Sequence, residues 1–74
     1  MNADKGRLPL LVTPVVAKAE FNQLLDRVQT RGERFLIVRR RHPDALIVGI
    51  DDFLEIAGLT RDWIEDAWKA GQKM

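Results

Sequence analysis

Residues 35–50 read FLIVRRRHPDALIVGI. Two runs rich in β-branched and aliphatic residues, 35–40 and 45–50, flank the polar residues 41–44. Two such runs on either side of a short polar connection are typical of a β-hairpin. The sequence therefore predicts two antiparallel strands joined by a four-residue connection.

Apolar residues occupy both alternating faces of these predicted strands, so both faces of the sheet need a cover. Helices of the same chain cover one face, and we expect a second copy of the chain to cover the other. The chain has only 74 residues, with no Cys and one His. A domain this small buries only about 60% of its unfolded surface. Disulfides and the usual structural zinc sites are excluded, so we expect no metal or cofactor and a homodimer instead.

A short strand and a long amphipathic helix are predicted before the hairpin. Residues 8–12 are apolar, and Thr13-Pro14 is typical of a helix N-terminus, with Thr as the N-cap and Pro in the first turn. Apolar residues then recur with helical spacing as far as Arg31, and Gly32 ends the helix. The predicted core residues of this helix are Ala17, Phe21, Leu24, Leu25 and Val28.

Two further helices are predicted after the hairpin. Asp51 and Asp52 are typical N-cap residues, Glu55 lies in the capping-box position, and Gly58 ends this short helix. Thr60 is the expected cap of the last helix. The order strand, helix, hairpin, helix, helix predicts an α+β fold in which a small antiparallel three-stranded sheet packs with helices.

Charge is distributed unevenly along the chain, although the net charge is only +1. Residues 1–41 contain nine basic and four acidic residues, a net charge of +5. Residues 42–74 contain three basic and seven acidic residues, a net charge of −4. The asymmetry predicts two different partners, one polyanionic and one that accepts an acidic surface.

Three segments carry a resemblance to a known family. Residues 24–28, LLDRV, close the first predicted helix; residues 37–39, IVR, lie in the second strand; and residues 51–54, DDFL, begin the short helix. In this order and spacing they resemble the Phd/YefM family of antitoxins, the DNA-binding members of bacterial type II toxin-antitoxin modules. The resemblance covers roughly residues 12–58.

The resemblance implies a cytoplasmic homodimer whose residues 1–58 bind operator DNA and dimerise, while residues 59–74 bind a cognate toxin. In family members, an Arg at the start of the first helix and an Arg ending the second strand contact DNA, and Lys18 and Arg39 hold those positions here. Guanidinium forks suit phosphate oxygens and guanine edges, although a charged turn can also be only solvated. The predicted DNA-binding residues are Thr13, Lys18, Arg39, Arg40 and Arg41.

The last predicted helix provides the second candidate surface. At 100° per residue its apolar residues lie on one face and its acidic residues on the other. Trp is enriched among interface anchors, and an amphipathic helix fits a partner's hydrophobic groove. The alternative is that this helix folds back onto the core. The predicted toxin-binding residues are Leu59, Trp63, Ile64, Ala67 and Trp68.

No feature of the sequence indicates an enzyme or a membrane protein. His42 precedes Pro43 in a predicted turn without a nucleophile motif nearby, so we expect no catalytic residues. The longest uncharged apolar run, residues 8–17, is shorter than the roughly 20 residues of a membrane span, and no signal peptide is recognisable. We therefore expect a cytoplasmic antitoxin that neutralises a toxin and represses its own operon. The alternative is a protein-interaction module or inhibitor without DNA binding.

Overall fold

The computed structural model of the chain describes residues 7–72 and confirms the predicted α+β class. Both predicted segments, 1–58 and 59–74, include residues outside this range. The elements are β1 (Leu10–Val12), α1 (Pro14–Ala19), α2 (Phe21–Arg31), β2 (Phe35–Arg39), β3 (His42–Ile47), α3 (Ile50–Ala57) and α4 (Arg61–Gly71).

The sheet has three strands in the order β1, β2, β3 and is mixed. Strands β2 and β3 are antiparallel, as the hairpin predicts. Strand β1 runs parallel to β2, with Leu10 opposite Phe35 and Val12 opposite Ile37. The prediction of a wholly antiparallel sheet was therefore wrong. Helices α1 and α2 return the chain to the end from which β1 started, and such a crossover joins parallel strands.

The hairpin turn is shorter than predicted. Strand β3 already begins at His42, so the turn consists of Arg40 and Arg41 rather than residues 41–44. Both turn residues have positive φ, +53° and +64°. Positive φ at both central residues is the requirement of a type I′ turn, whose twist matches that of the strands it joins.

The predicted long helix from Pro14 to Arg31 is divided into two. Helix α1 ends at Ala19 and α2 begins at Phe21, while Glu20 between them has φ −117° and ψ 27°. The backbone of Glu20 still accepts from the N–H four residues later and donates to the carbonyl four residues earlier, at 2.9 Å each. The division is therefore a kink that keeps its hydrogen bonds.

Local capping signals identified three of the helix ends correctly. The Thr13 side chain accepts a hydrogen bond from the Val16 N–H at 3.2 Å and caps α1 as predicted. Gly32 and Gly58 end α2 and α3 with φ of +66° and +69°. Left-handed φ of this kind favours glycine, which explains why both helices stop there.

The predicted cap of α3 was wrong. Gly49 is the N-cap, and Asp51 and Asp52 lie inside the first turn without a side-chain capping bond. Their charges still favour the positive end of the helix dipole. Thr60 is the N-cap residue of α4, as expected, but its side chain makes no capping hydrogen bond.

The hydrophobic core is small and lies between α1, α2 and one face of the sheet. Of the predicted helix residues, Phe21 and Leu25 are exposed by 48% and 38%, so their prediction as core residues was wrong. Leu24 and Val28 are the buried residues of α2, so only the strip of the helix that carries them faces the core. The core residues are Ala17, Leu24, Val28 and Phe35, packed against the half-buried Val12, Ile37 and Ile47.

The opposite face of the sheet is apolar and open in the single chain. Leu11, Leu36 and Leu46 lie in register across the three strands, and we call them the leucine row. Leu11 is 69% exposed and Leu46 is 50% exposed. The second apolar face that the strand pattern predicts is therefore present.

Candidate nucleic-acid interface

Arg40 and Arg41, here called the arginine turn, form the tip of the β2–β3 hairpin. A type I′ turn favours Asn-Gly, because both central residues need positive φ. Holding residues other than glycine in the left-handed region costs on the order of 1–3 kcal/mol each, and such strain concentrates at functional sites. The turn therefore keeps two long basic side chains at positions that its backbone disfavours.

A bulge in β3 lies directly beside the arginine turn. Ile37 pairs with Ala45 but Val38 pairs with Pro43, which leaves Asp44 as an extra residue on β3. A bulge of this kind bends the strand and turns a side chain in a new direction. The bulged Asp44 lies beside the arginines of the tip, with a carboxylate oxygen 2.8 Å from Arg39.

The three arginines around the tip have different partners. The Nε of Arg39 lies 2.8 Å from a carboxylate oxygen of Asp44, and Nδ1 of His42 lies 3.2 Å from the other oxygen. Within residues 7–72, Arg40 and Arg41 form no ion pair. The arginine turn therefore offers two uncompensated guanidinium groups, whereas Arg39 is already paired with a carboxylate.

The structure brings only some of the predicted DNA-binding residues together. Thr13, Arg40 and Arg41 border one shallow depression of about 350 Å³, which we call the tip depression. Its other lining residues are Leu11, Val12 and Val38. Arg39 lines a different hollow with Arg40, His42 and Asp44. Lys18 lines a third, on the kink between α1 and α2.

A buried arginine that the sequence analysis did not single out fixes the base of the hairpin. Arg34, immediately before β2, is only 6% exposed. Its Nε and Nη2 donate to the two carboxylate oxygens of Asp52 at 2.7 and 2.6 Å, and its Nη1 donates to the Arg7 carbonyl at 2.9 Å. This Arg34 clamp joins the start of the described chain, the start of β2 and helix α3.

The clamp also changes the protonation chemistry of Asp52. The paired hydrogen bonds from Arg34 hold the pKa of Asp52 below its ordinary value. The positive charges of Arg34 and Arg7 act in the same direction, while burial opposes them. Asp52 therefore serves as a charged anchor for Arg34 rather than as a helix cap.

Helix α4 packs loosely on the rest of the chain. Within residues 7–72 none of its residues is buried, and Trp63 and Trp68 are 55% and 66% exposed. The Trp63 ring lies 5.8 Å from the ring of Phe53, centroid to centroid. The guanidinium of Arg61 lies 2.6 Å from the carboxylate of Asp51.

The predicted toxin-binding residues thus lie on an accessible surface. Leu59 is 40% exposed and precedes α4, while Ile64 is the half-buried member of the set and Ala67 is exposed. Trp68 has no aromatic neighbour within residues 7–72, unlike Trp63. The apolar face of α4 is therefore largely open in the single chain.

Other kinds of site have little support in the described range. No three potential metal ligands among His, Cys, Asp and Glu come together in residues 7–72. None of the helices found there has the length and apolar character that crossing a membrane requires. A comparison with protein-family models, curated proteins and solved structures finds no match for this chain.

Proposed function

We propose that the chain is a homodimeric antitoxin of the Phd/YefM type, which binds operator DNA through the arginine turn and a toxin through α4. The observation that carries the proposal is a strained turn made of two arginines that form no ion pair within residues 7–72. The resemblance of residues 12–58 to that family supports it independently. Bound to its own operator, such a dimer represses the operon that encodes it and its toxin.

The shape of the hairpin suits DNA. The major groove of B-DNA admits a two-stranded β-ribbon, and Arg at a ribbon tip can reach phosphates or the acceptor atoms of guanine. The Arg34 clamp and the buried Phe35 hold the base of this ribbon. A ribbon fixed at its base presents the arginine turn without first having to be ordered, which lowers the entropic cost of binding.

The base of the open sheet face, around Leu46 and away from the arginine turn, supports the dimer. A chain with so few buried residues gains stability from a partner, and a flat apolar face suits a second copy of itself. A groove lined by Leu8, Pro9, Leu46 and Ile56, and by Arg7 and Arg34, which both pair with Asp52, extends this surface away from the arginine turn. We assign this end of the sheet to the contact between the two copies.

Helix α4 supports the toxin-binding half of the proposal. Its open face carries both tryptophans of the chain, and its other side carries Asp62, Glu65 and Asp66. A partner with an apolar groove bordered by basic residues would match both features.

DNA binding is tested by titrating the purified chain with duplex DNA from upstream of its own gene, at several salt concentrations. If a dimer neutralises about six phosphates, log K falls with log salt at a slope of roughly −5. Replacing Arg40 and Arg41 by Ala should weaken binding and flatten the slope. Arg31→Ala is the matched control, because Arg31 is also an exposed arginine but lies at the end of α2.

Toxin binding is tested by co-expression with the product of the adjacent gene. We expect relief of growth arrest and recovery of a complex, both lost in Trp68→Ala and kept in Lys69→Ala. A chain that neutralises this protein but binds no duplex even at low salt would be an interaction module without DNA binding. A chain that does neither would contradict the whole proposal.

A further inference from the structure

The tip depression combines an apolar surface with two positive charges. A surface that binds only phosphates needs the charges but not the apolar surface. It is lined by the apolar Leu11, Val12 and Val38 and by Arg40 and Arg41, which form no ion pair within residues 7–72. Leu11 is 69% exposed, so its side chain is available to a ligand. Phosphate contacts require only the cations, which leaves the apolar lining without a purpose in a purely electrostatic surface.

We propose that the tip depression reads a thymine next to a guanine in the major groove of DNA. Leu11 and Val38 would contact the 5-methyl group of thymine, while a guanidinium of the arginine turn donates to O6 and N7 of guanine. Thymine presents the major groove's only methyl group, and guanine presents two adjacent acceptors that match an arginine fork. This inference rests on the proposed DNA-binding function and adds base recognition to it.

Two other occupants fit the depression less well. RNA offers uracil, which lacks the methyl group, and the major groove of its duplex is too narrow for side chains to read. A second copy of the chain lying across the depression would bury the unpaired arginines of both copies without an acidic partner, which is unfavourable. The groove that contains Leu8, Leu46 and Ile56, away from the arginine turn, is the better surface for that copy.

The test uses the full chain and a pool of random-sequence DNA duplexes. Duplexes that the protein retains are sequenced, and each conserved thymine is then replaced by deoxyuridine, which removes only the methyl group. At one thymine in each half-site we expect affinity to fall about fourfold, the effect of one buried methyl group. The sensitive thymine should lie beside a guanine.

A variant links this effect to the depression. Leu11→Ala should bind the thymine and deoxyuridine duplexes equally, because the surface that contacts the methyl group is gone. Since Leu11 is largely exposed, the variant should keep the stability of the parent protein. Leu25→Ala is the control, because Leu25 is also an exposed leucine but lies on α2 outside the depression, so the variant should leave the fourfold difference intact.

The possible failures are distinguishable. If no duplex is retained even at low salt, the proposed DNA binding fails, and base reading with it. If duplexes are retained but no deoxyuridine substitution changes the affinity, the base-reading inference is overturned and phosphate binding stands. If Leu11→Ala dissociates the dimer in sedimentation and weakens both duplexes equally, the depression belongs to the contact between copies, which also overturns the inference.

Discussion

The hairpin and helix α4, the two proposed binding elements, are attached to the molecule in opposite ways. The hairpin is anchored by Phe35, which is 1% exposed, and by the buried side chain of Arg34. Helix α4 has no buried residue in the described range, and its contacts there are one ring contact, one ion pair between exposed side chains and the packing of the half-buried Ile64.

The two attachments differ in whether the binding surface is already formed before its partner binds. A preformed surface loses little conformational entropy on binding, whereas a loosely held helix can adjust to the shape of a groove. Two consecutive residues of α3, Asp51 and Asp52, each take part in one of the two attachments. Asp52 holds the hairpin through Arg34, and Asp51 holds α4 through Arg61.

The largest expected effect comes from breaking the hairpin's attachment with Arg34→Ala. The change leaves the charge of Asp52 and the carbonyl of Arg7 without their buried partner, and breaking a buried ion pair costs about 3–5 kcal/mol. Small domains have total stabilities of about 5–15 kcal/mol, so the variant should lose a large part of its stability. Its urea unfolding midpoint, followed by circular dichroism, should fall well below that of the parent protein.

Arg31→Ala provides the comparison for this measurement. Arg31 is 68% exposed and lies 3.8 Å from Glu33, so its removal should cost less than about 1 kcal/mol. Equal unfolding midpoints for the two variants would show that the Arg34 clamp does not hold the hairpin.

The second effect is a loss of stability in acid. Because the pKa of Asp52 is lower in the folded chain than in the unfolded chain, its carboxylate stabilises the fold at pH values above the ordinary Asp pKa of about 3.9. That contribution disappears as the pH falls through the lower, folded-state pKa. Urea midpoints measured between about pH 6 and pH 2 should show this loss.

Asp52→Asn should be less stable than the parent near neutral pH and should lose less additional stability in acid. Asp51→Asn is a matched control at the next residue, where the carboxylate is 89% exposed. Its acid profile should follow that of the parent protein. If Asp52→Asn loses as much stability in acid as the parent protein does, the lowered pKa of Asp52 does not contribute to the stability of the fold.

A third, smaller effect has the opposite sign. Replacing Arg40 by Asn and Arg41 by Gly matches the preference of a type I′ turn and should raise the free energy of unfolding by about 1–2 kcal/mol. The same change removes both unpaired cations, so DNA affinity should fall. The variant with Lys at both positions keeps charge and strain, and should show parental stability with more of the DNA binding retained.

The smallest effect is expected from removing α4. A chain ending at Gly58 loses an exposed ion pair, one aromatic contact and the packing of the half-buried Ile64, together about 1 kcal/mol. It should unfold almost as the parent does and still bind DNA, but it should not bind the toxin. If the shortened chain is unfolded, α4 belongs to the core and the contrast between the two attachments disappears.

The features predicted correctly depend on short stretches of sequence. Thr13 followed by Pro, and Gly32 after an apolar stripe, mark helix ends through the conformations that these residues prefer. The turn was mispredicted because Pro43 and Asp44 are common turn residues. In the structure Pro43 lies on an edge strand, where its missing N–H is tolerated, and Asp44 forms the bulge.

The features missed depend on contacts between distant residues. Arg34 lies 18 residues from Asp52 and 27 from Arg7 along the chain, and no local pattern reports such a contact. The local sequence predicts a cap at Asp52, because a carboxylate at this position suits a helix cap as well as a partner for a distant arginine. Of the candidate site, the sequence indicated the arginines of the tip, but only the fold shows which of them are paired.

The parallel pairing of β1 has a consequence for the order of folding. The hairpin joins neighbouring residues, whereas the N–H of Leu10 must find the carbonyl of Arg34 across the whole of α1 and α2, at 2.8 Å in the final structure. Contacts between distant residues form late, because closing a long loop costs entropy first. The strand synthesised first is therefore expected to dock last, and until it does so the outer edge of β2 remains open to pairing with another chain.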